Sequence, residues 1–371
     1  MTVSISGTAG VTFPDNSVQN TSAFVGGLAF RNRIINGAMV IDQRNAGASV
    51  MANDGVYSVD RFMFGASQTS KGTVQQNAGA VTPPVGFSNY YGFTSSSAYS
   101  ILSTDFFAVS HKIEGNNIAD FAWGTANAAT ITMSFWVRSS LTGTFGGALE
   151  NSANDRCYPF SYTISAANTW EQKTLTIAGD TSGTWLTTTG LGIAIRWGLG
   201  VGSTRSGTAG AWGSTRYFSA TGAVSVVGTN AATWYVTGVQ LEKGSTATAF
   251  DYRPYGTELA LCQRYYWRYI NGVDQSLSMG CYYNSTSIYG LFQTPVTMRS
   301  KPTLISSSGT NYYRFVRNGA TDDFDSVSLD GYEHAGGAIW KNTTEASGTS
   351  GQAGFVSANN ASSSIALSAE L

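Results

Sequence analysis

The stretch Thr130-Ile131-Thr132-Met133-Ser134-Phe135-Trp136-Val137-Arg138 decides the fold class. Ile131, Met133, Phe135 and Val137 fall on one side of an extended chain, with Thr132 and Ser134 on the other. Alternation with period two marks a strand with one buried face, because successive strand side chains point to opposite sides. The pattern recurs outward from this stretch. Leu191, Ile193, Ile195 and Trp197 alternate through Leu191–Trp197, and Leu175 and Ile177 alternate within Lys173–Ala178. Trp234 and Val236 alternate until Gly238 interrupts before Val239 and Leu241, where a bulge is expected. Polar clusters rich in Gly, Ser and Thr, such as Ser203–Gly213, separate these runs. Gly198, Gly200 and Gly202 are followed by no P-loop lysine and sit in no βαβ pattern, so they read as a turn between strands. Many strands joined by polar turns predict an all-β chain built on a jelly-roll β-sandwich.

The spacing of these signals divides the chain into three. Residues 1–30 set Val3, Ile5, Val11 and Phe13 among Ser, Thr and Gly, with a turn signal at Pro14-Asp15-Asn16. So short a segment cannot hold a core and should dock on something else. Residues 31–255 carry the sandwich. Pro254 marks a boundary near residue 256, and a helix is expected over Thr257–Tyr269. There Leu259, Cys262, Tyr266 and Tyr269 recur at helical spacing, and Asn271-Gly272 stops the run. Residues 256–371 comprise this short helix and a C-terminal β-rich domain, with Ile365–Leu371 as a last strand. No repeat of 20–50 residues stands out, which argues against a long β-helix.

Charged residues are 12% of the 371, about half the usual share, while 19 Phe, 19 Tyr and 9 Trp can fill real cores. The surface is therefore built from uncharged polar residues. The net charge is -1 with no basic run, so the electrostatic footprint of a nucleic-acid binder is missing. Uncharged glycans or protein surfaces are the more natural partners. No apolar run reaches the ~18 residues that would span a bilayer, and Met1–Gly10 lacks the basic and apolar regions of a signal peptide. Neither membrane insertion nor export is expected. Cys157, Cys262 and Cys281 are odd in number and far apart, and read as small buried apolar residues rather than a disulfide scaffold.

Catalytic and metal chemistry find little support. His111 and His334 are the two histidines, no Gly-x-Ser-x-Gly elbow is present, and both read as surface or turn residues. Zinc would need clustered Cys and His ligands. Asp322, Asp323 and Asp325 form the densest acidic run and are weak candidates for a hard cation, although their spacing is not that of an EF-hand. No cofactor is implied. Glu150, Asp155, Glu171 and Asp180 are carboxylates of the kind glycoside hydrolysis pairs across a bond, but nothing in the sequence brings two together.

Aromatic residues carry more weight. Sugars pack flat C–H faces on rings while fixed polar groups take their hydroxyls. Tyr282, Tyr283, Tyr289, Tyr312, Tyr313, Tyr332 and Trp340 lie among Asn, Ser and Asp in the C-terminal part and are the candidate ligand-binding residues. Adjacent strand positions face opposite ways, so one of each tyrosine pair should be core and its neighbour exposed, either as a ligand platform or as packing between subunits. For Trp136, Trp170, Trp185, Trp197 and Trp234 the core is the default.

Three groups of residues carry a family resemblance. Gly7-Thr8-Ala9-Gly10-Val11-Thr12-Phe13-Pro14-Asp15, followed by Gln19, resembles a motif near the N-terminus of many bacteriophage tail-fibre proteins. Arg31-Asn32-Arg33-Ile34-Ile35-Asn36-Gly37-Ala38-Met39, Asp42-Gln43-Arg44 and Tyr57-Ser58-Val59-Asp60-Arg61-Phe62 look like the opening of a domain common in phage and prophage tail proteins. Val239-Gln240-Leu241-Glu242-Lys243-Gly244, Phe250-Asp251-Tyr252-Arg253-Pro254 and Glu258-Leu259-Ala260-Leu261-Cys262-Gln263-Arg264-Tyr265-Tyr266 look like its close, and Ala369-Glu370-Leu371 is similar to the usual ending. The interior, from Ile131–Val137 to Val236–Leu241, also resembles carbohydrate-binding modules of the jelly-roll type. Thr237-Gly238-Val239 stands where those modules often carry an acidic pair, so their calcium site is not carried over.

The resemblance implies a virion tail-fibre protein, made in the host cytoplasm and located at the tail fibre or baseplate periphery. It implies attachment to tail or baseplate proteins through residues 1–30, a homotrimer, and adsorption to a host cell-surface glycan without catalysis. The alternatives are a structural connector that never touches the host and, behind it, a polysaccharide depolymerase.

Overall fold

The computed structural model describes residues 30–371 and three short strands before them, Ser4–Ser6, Gly10–Thr12 and Val18–Gln19. These three strands pair in one antiparallel sheet, with Ser4 opposite Thr12 and Val11 opposite Gln19. The attachment segment expected over residues 1–30 otherwise lies outside the described residues.

Two antiparallel six-stranded sheets form a jelly-roll β-sandwich. One sheet runs Glu171–Ile177, Ile131–Ser139, Thr233–Lys243, Tyr91–Ser95, Gly72–Gln76, Val50–Met51. The other runs Cys157–Ile164, Gly143–Glu150, Leu191–Val201, Phe106–Glu114, Phe62–Ala66, Val56–Val59. From Phe106 onward the chain crosses repeatedly between the two sheets, which wraps them around one core. Ile131, Met133, Phe135 and Val137 are all fully buried, facing Phe64, Phe107, Ile195 and Trp197 of the same core. Gly238 (φ +60°) lies in a bulge where the register slips between Ser134 and Trp136. A side chain there would run into the Phe87 ring, 2.6 Å away.

Three local readings change. Gly198 and Gly200 lie inside the eleven-residue strand Leu191–Val201, not in a turn, because the chain packs directly over that part of the sheet and leaves no room for side chains. His111 is buried against the Phe62 ring, 4.8 Å between centroids, and burial holds its imidazole well below the usual value and neutral; His334 is exposed. Trp185, Trp197 and Trp234 are core, whereas Trp136 and Trp170 are half-buried. Trp136 follows inward-facing Phe135 and so faces outward.

The helix is Tyr255–Gln263, shorter than the Thr257–Tyr269 expectation. Tyr266–Asn271 is a strand, because it pairs with Ser364–Ser368, a partner that local spacing cannot reveal. The helix packs Cys262 against Ile35 and Ile41, and Glu258 accepts hydrogen bonds from the Asn36 backbone and from Arg253. Beyond it lie a three-stranded sheet, Tyr266–Asn271, Ser364–Ser368, Thr303–Ser306, and a seven-stranded sheet. The latter runs Ala320–Phe324, Tyr313–Arg317, Ala353–Ala358, Ser276–Asn284, Ser287–Gln293, Gly337–Asn342, Ser328–Leu329. Both contribute to one core that includes Ile270, Phe292, Phe315, Trp340, Val356 and Leu367.

The residues that carry the family resemblance build the junction. Asn32 donates its amide to the Val239 carbonyl, and its side-chain oxygen accepts from Leu241 N. Asn36 bridges the carbonyls of Ile41 and Asp60. Arg44 and Arg61 both pair with Glu370, and the Arg61 guanidinium lies 3.5 Å from the centre of the Tyr265 ring. No helix among the described residues is long and apolar enough to cross a membrane.

Candidate functional site

The strand Ser276–Asn284 turns Tyr282 inward and Met279, Cys281 and Tyr283 outward. Its neighbour Ser287–Gln293 buries Ile288 and Phe292 and presents Tyr289 and Leu291, and Gly337–Asn342 buries Ala338 and Trp340 and presents Ile339 and Lys341. The register aligns Cys281, Tyr289 and Lys341 across three strands, with Leu291 opposite Ile339. The loop after Ser328–Leu329 brings Asp330 and Tyr332 over this face, fixed by the Asp330 N–H donating to the Ile339 carbonyl at 3.0 Å.

The outward-facing residues of the first two strands, with Ile339, Asp330 and Tyr332, line an open groove of about 860 Å³. Tyr283 and Tyr332 are 71% and 70% exposed, which makes them available to a ligand rather than to the core. The Tyr283 and Tyr289 rings lie 5.2 Å apart, tilted by 50°. Lys341 donates to Asp330 at 2.5 Å, and that carboxylate holds the ammonium above its usual value. The groove thus offers apolar rings and, beside them, one fixed ion pair able to take hydroxyls. That combination suits an uncharged, hydroxyl-rich ligand.

The seven candidate aromatics separate cleanly. Tyr283, Tyr289 and Tyr332 meet in the groove. Tyr282, Tyr313 and Trp340 belong to the core: Tyr282 donates to Asp322, Tyr313 to the Ser307 carbonyl at 2.9 Å, and the Trp340 indole to Ser278 at 2.9 Å. Burial, reinforced by Asp322, pushes the Tyr282 hydroxyl far above its usual value. Tyr312 is half-buried against the same core, away from the groove. Met279, Leu291, Ile339, Asp330 and Lys341 were not singled out by the sequence, and Cys281 was expected to be buried. The alternation of Met279, Cys281 and Tyr283 was the available signal. Cys157 and Cys262 are buried, whereas Cys281 is exposed on the groove wall.

The acidic run does not converge. Asp322 and Asp323 are neighbours on one strand and point to opposite faces. Asp322 accepts from Tyr282 and Ser347, Asp323 takes both ends of the Arg314 guanidinium, and Asp325 accepts from Asn311 N. Among the described residues no group of three or more His, Cys, Asp or Glu is placed to hold a metal. The sandwich carboxylates are dispersed too. Glu150 pairs with Arg196 and Arg216, Asp180 with Arg156, Glu171 with Lys173, and Asp155 accepts from Asn151.

No family model matches the chain, and no curated protein does. Solved structures match it in part. The enzymatically active domain of tailspike protein 4 from bacteriophage CBA120 is 10% identical over 58% of this chain and 22% of its own, with a TM-score of 0.32. The chain therefore spans about a fifth of that domain. A sugar-binding protein described from Bacteroides thetaiotaomicron is 11% identical over 57% of this chain and all of its own, with a TM-score of 0.34. The family 11 carbohydrate-binding module of a Clostridium thermocellum cellulosomal cellulase is 10% identical over 55% of this chain and all of its own, with a TM-score of 0.27.

Proposed function

We propose that the chain is a non-catalytic, surface-binding protein of a virion tail, and that its C-terminal groove holds a neutral saccharide of the bacterial host surface. The observation that carries this reading is the meeting of Tyr283, Tyr289 and Tyr332 beside the Asp330–Lys341 pair. The groove's lining includes one carboxylate, Asp330, and hydrolysis by paired carboxylates needs two. The protein is made in the host cytoplasm, attaches to the tail or baseplate through residues 1–30 and acts as a homotrimer. Single sugar contacts are weak, and three linked grooves would raise avidity by ~10²–10⁴.

The test is an array of neutral bacterial surface oligosaccharides probed with the full chain, with Tyr283→Ala and Tyr332→Ala beside it. Binding to array members that both substitutions abolish supports the reading. Absence of binding, or binding that neither substitution changes, overturns it.

One observation favours the other role open to the exposed tyrosines, packing between subunits. Phe355 is 43% exposed and pairs with Met279 on the same outer face, extending the apolar surface beyond the groove. Such a face suits packing between copies of the chain. Light scattering of Leu291→Asp distinguishes the two. Loss of assembly assigns the face to subunit contact, and retained assembly with lost sugar binding assigns it to the ligand.

A further inference from the structure

A second cleft, of about 250 Å³, lies on the outer face of the sandwich. Its floor is the sheet itself, where Met63, Ser110 and Arg196 stand side by side in register and Gly65 faces Ala108. Its wall is the segment 205–220, which carries Arg205, Arg216 and Phe218. That segment lies directly on the sheet because Gly146 and Gly198 have no side chains. A Cβ at Gly146 would come within 2.6 Å of Ala220 N, and one at Gly198 within 2.7 Å of the Ser219 Cβ.

The result is a concentration of positive charge around one ring. The guanidinium carbons of Arg196, Arg205 and Arg216 lie 4.7, 6.0 and 4.9 Å from the centre of the Phe218 ring, which stacks on Phe106 at 4.3 Å. Lys112 completes the set. The neutralising groups fall short. Glu150 serves both Arg196 and Arg216, so two guanidiniums share one carboxylate. Asp54 also lines the cleft, its carboxylate fixed by the Ala66 N–H, so Glu150 and Asp54 stand against Arg196, Arg205, Arg216 and Lys112. Lys112 donates to the main-chain oxygen of Leu371, and Arg205 has no carboxylate partner among the described residues. Arg196 is only 6% exposed, yet its Nη1 has no hydrogen-bond partner. A buried donor without an acceptor costs about 1–3 kcal/mol, more when charged. Burial and the neighbouring Arg196 also hold the Lys112 ammonium below its usual value.

We propose that this cleft binds the anionic group of an acidic saccharide, a hexuronate carboxylate received by Arg196, Arg205 and Lys112, with the sugar ring against Met63 and Phe106. Guanidinium forks match carboxylate geometry, and the apolar side chains beside them supply a face for the ring. The volume is below that of pockets for drug-sized ligands, which suits one sugar unit. The site is separate from the tyrosine groove and takes the opposite class of sugar.

The test is calorimetric titration of the full chain with trigalacturonate and with its neutral methyl ester, at low salt. The free acid binds, and esterification weakens it about tenfold or more, the share of one charge-assisted hydrogen bond. Arg205→Ser, which removes no ion pair, lowers affinity for the acid by about the same factor. Equal affinity for acid and ester overturns the proposal, as does Arg205→Ser binding the acid like the unchanged protein. Inorganic phosphate binding as tightly as trigalacturonate overturns its saccharide part.

Discussion

Arg264 holds Glu114 by two hydrogen bonds, 2.9 Å from Nε and 2.6 Å from Nη2, joining the residue after the helix to the end of a sandwich strand. Tyr265 adds a third at 2.8 Å. Burial acts to raise the Glu114 carboxyl, but these donors outweigh it and hold it below the usual carboxylate range. Removing the carboxylate would leave Arg264 and Tyr265 without their acceptor. Glu114→Ala is expected to destabilise the chain by about 2–3 kcal/mol, less than a fully buried pair because Arg264 is partly exposed. Urea unfolding at pH 7 measures this, and a loss under about 0.5 kcal/mol would place the interaction among ordinary surface pairs.

Asp60 has the opposite sign. Its burial pushes the carboxyl up to about 6, against the pull of Arg44 and of two hydrogen bonds from Gln43. The native chain therefore binds this proton more tightly than the unfolded chain, where a carboxyl titrates near about 3.9. Its contribution is full below about pH 4 and is lost as pH rises through about 6, by up to about 3 kcal/mol. Glu114 contributes above its unfolded value and loses that contribution as pH falls. Asp60→Asn should remove the decline between pH 4 and 7, read from urea midpoints across that range. Parallel curves for the two proteins would contradict the assignment.

The three thiols should react unequally. Burial pushes the Cys157 thiol up to about 11 and Cys262 well above its usual value, whereas Cys281 is exposed. One equivalent of a disulfide reagent is expected to titrate quickly in the native state and three after denaturation. Because Cys281 lies on the groove wall beside Tyr289, labelling it with a bulky maleimide should block sugar binding at the groove. Full binding by labelled protein would count against that site.

Glu370 offers a harder test of the junction. Arg61 is 2% exposed and pairs with this carboxylate, which Arg44 shares at 3.0 Å. Glu370→Ala strands a buried guanidinium and should cost about 3–5 kcal/mol. Glu370→Ala combined with Arg61→Met should recover much of that loss, since a buried charge is removed together with its partner. A double substitution no better than the single one would refute the pairing as the cause.

The strands of the sandwich were legible because each buries one face, and period-two alternation records that directly. Ile131 to Val137 show it most plainly. What escaped depends on distant partners. Tyr266 and Tyr269 kept helical spacing from Leu259, yet Ser364–Ser368, about a hundred residues later, draws them into a sheet. Gly198 and Gly200 look like a turn until Ser219 is seen lying on the first and Ile101 and Ser225 on the second. The groove was half visible. Its tyrosines stand out by type, but core and exposed rings separate only once the register is known. The Asp330–Lys341 pair joins residues whose neighbours give no hint of each other.

The position of Ser364–Ser368, in the middle of its sheet between Tyr266–Asn271 and Thr303–Ser306, also sets an order of events during synthesis. Those two flanking strands are made first and have no partner until it emerges. Arg61 waits longer still, since Glu370 follows it by 309 residues. A chain released early by the ribosome would thus carry an unclosed sheet and a stranded guanidinium. Such unfinished copies would be less stable than the full chain and therefore more readily removed by proteases.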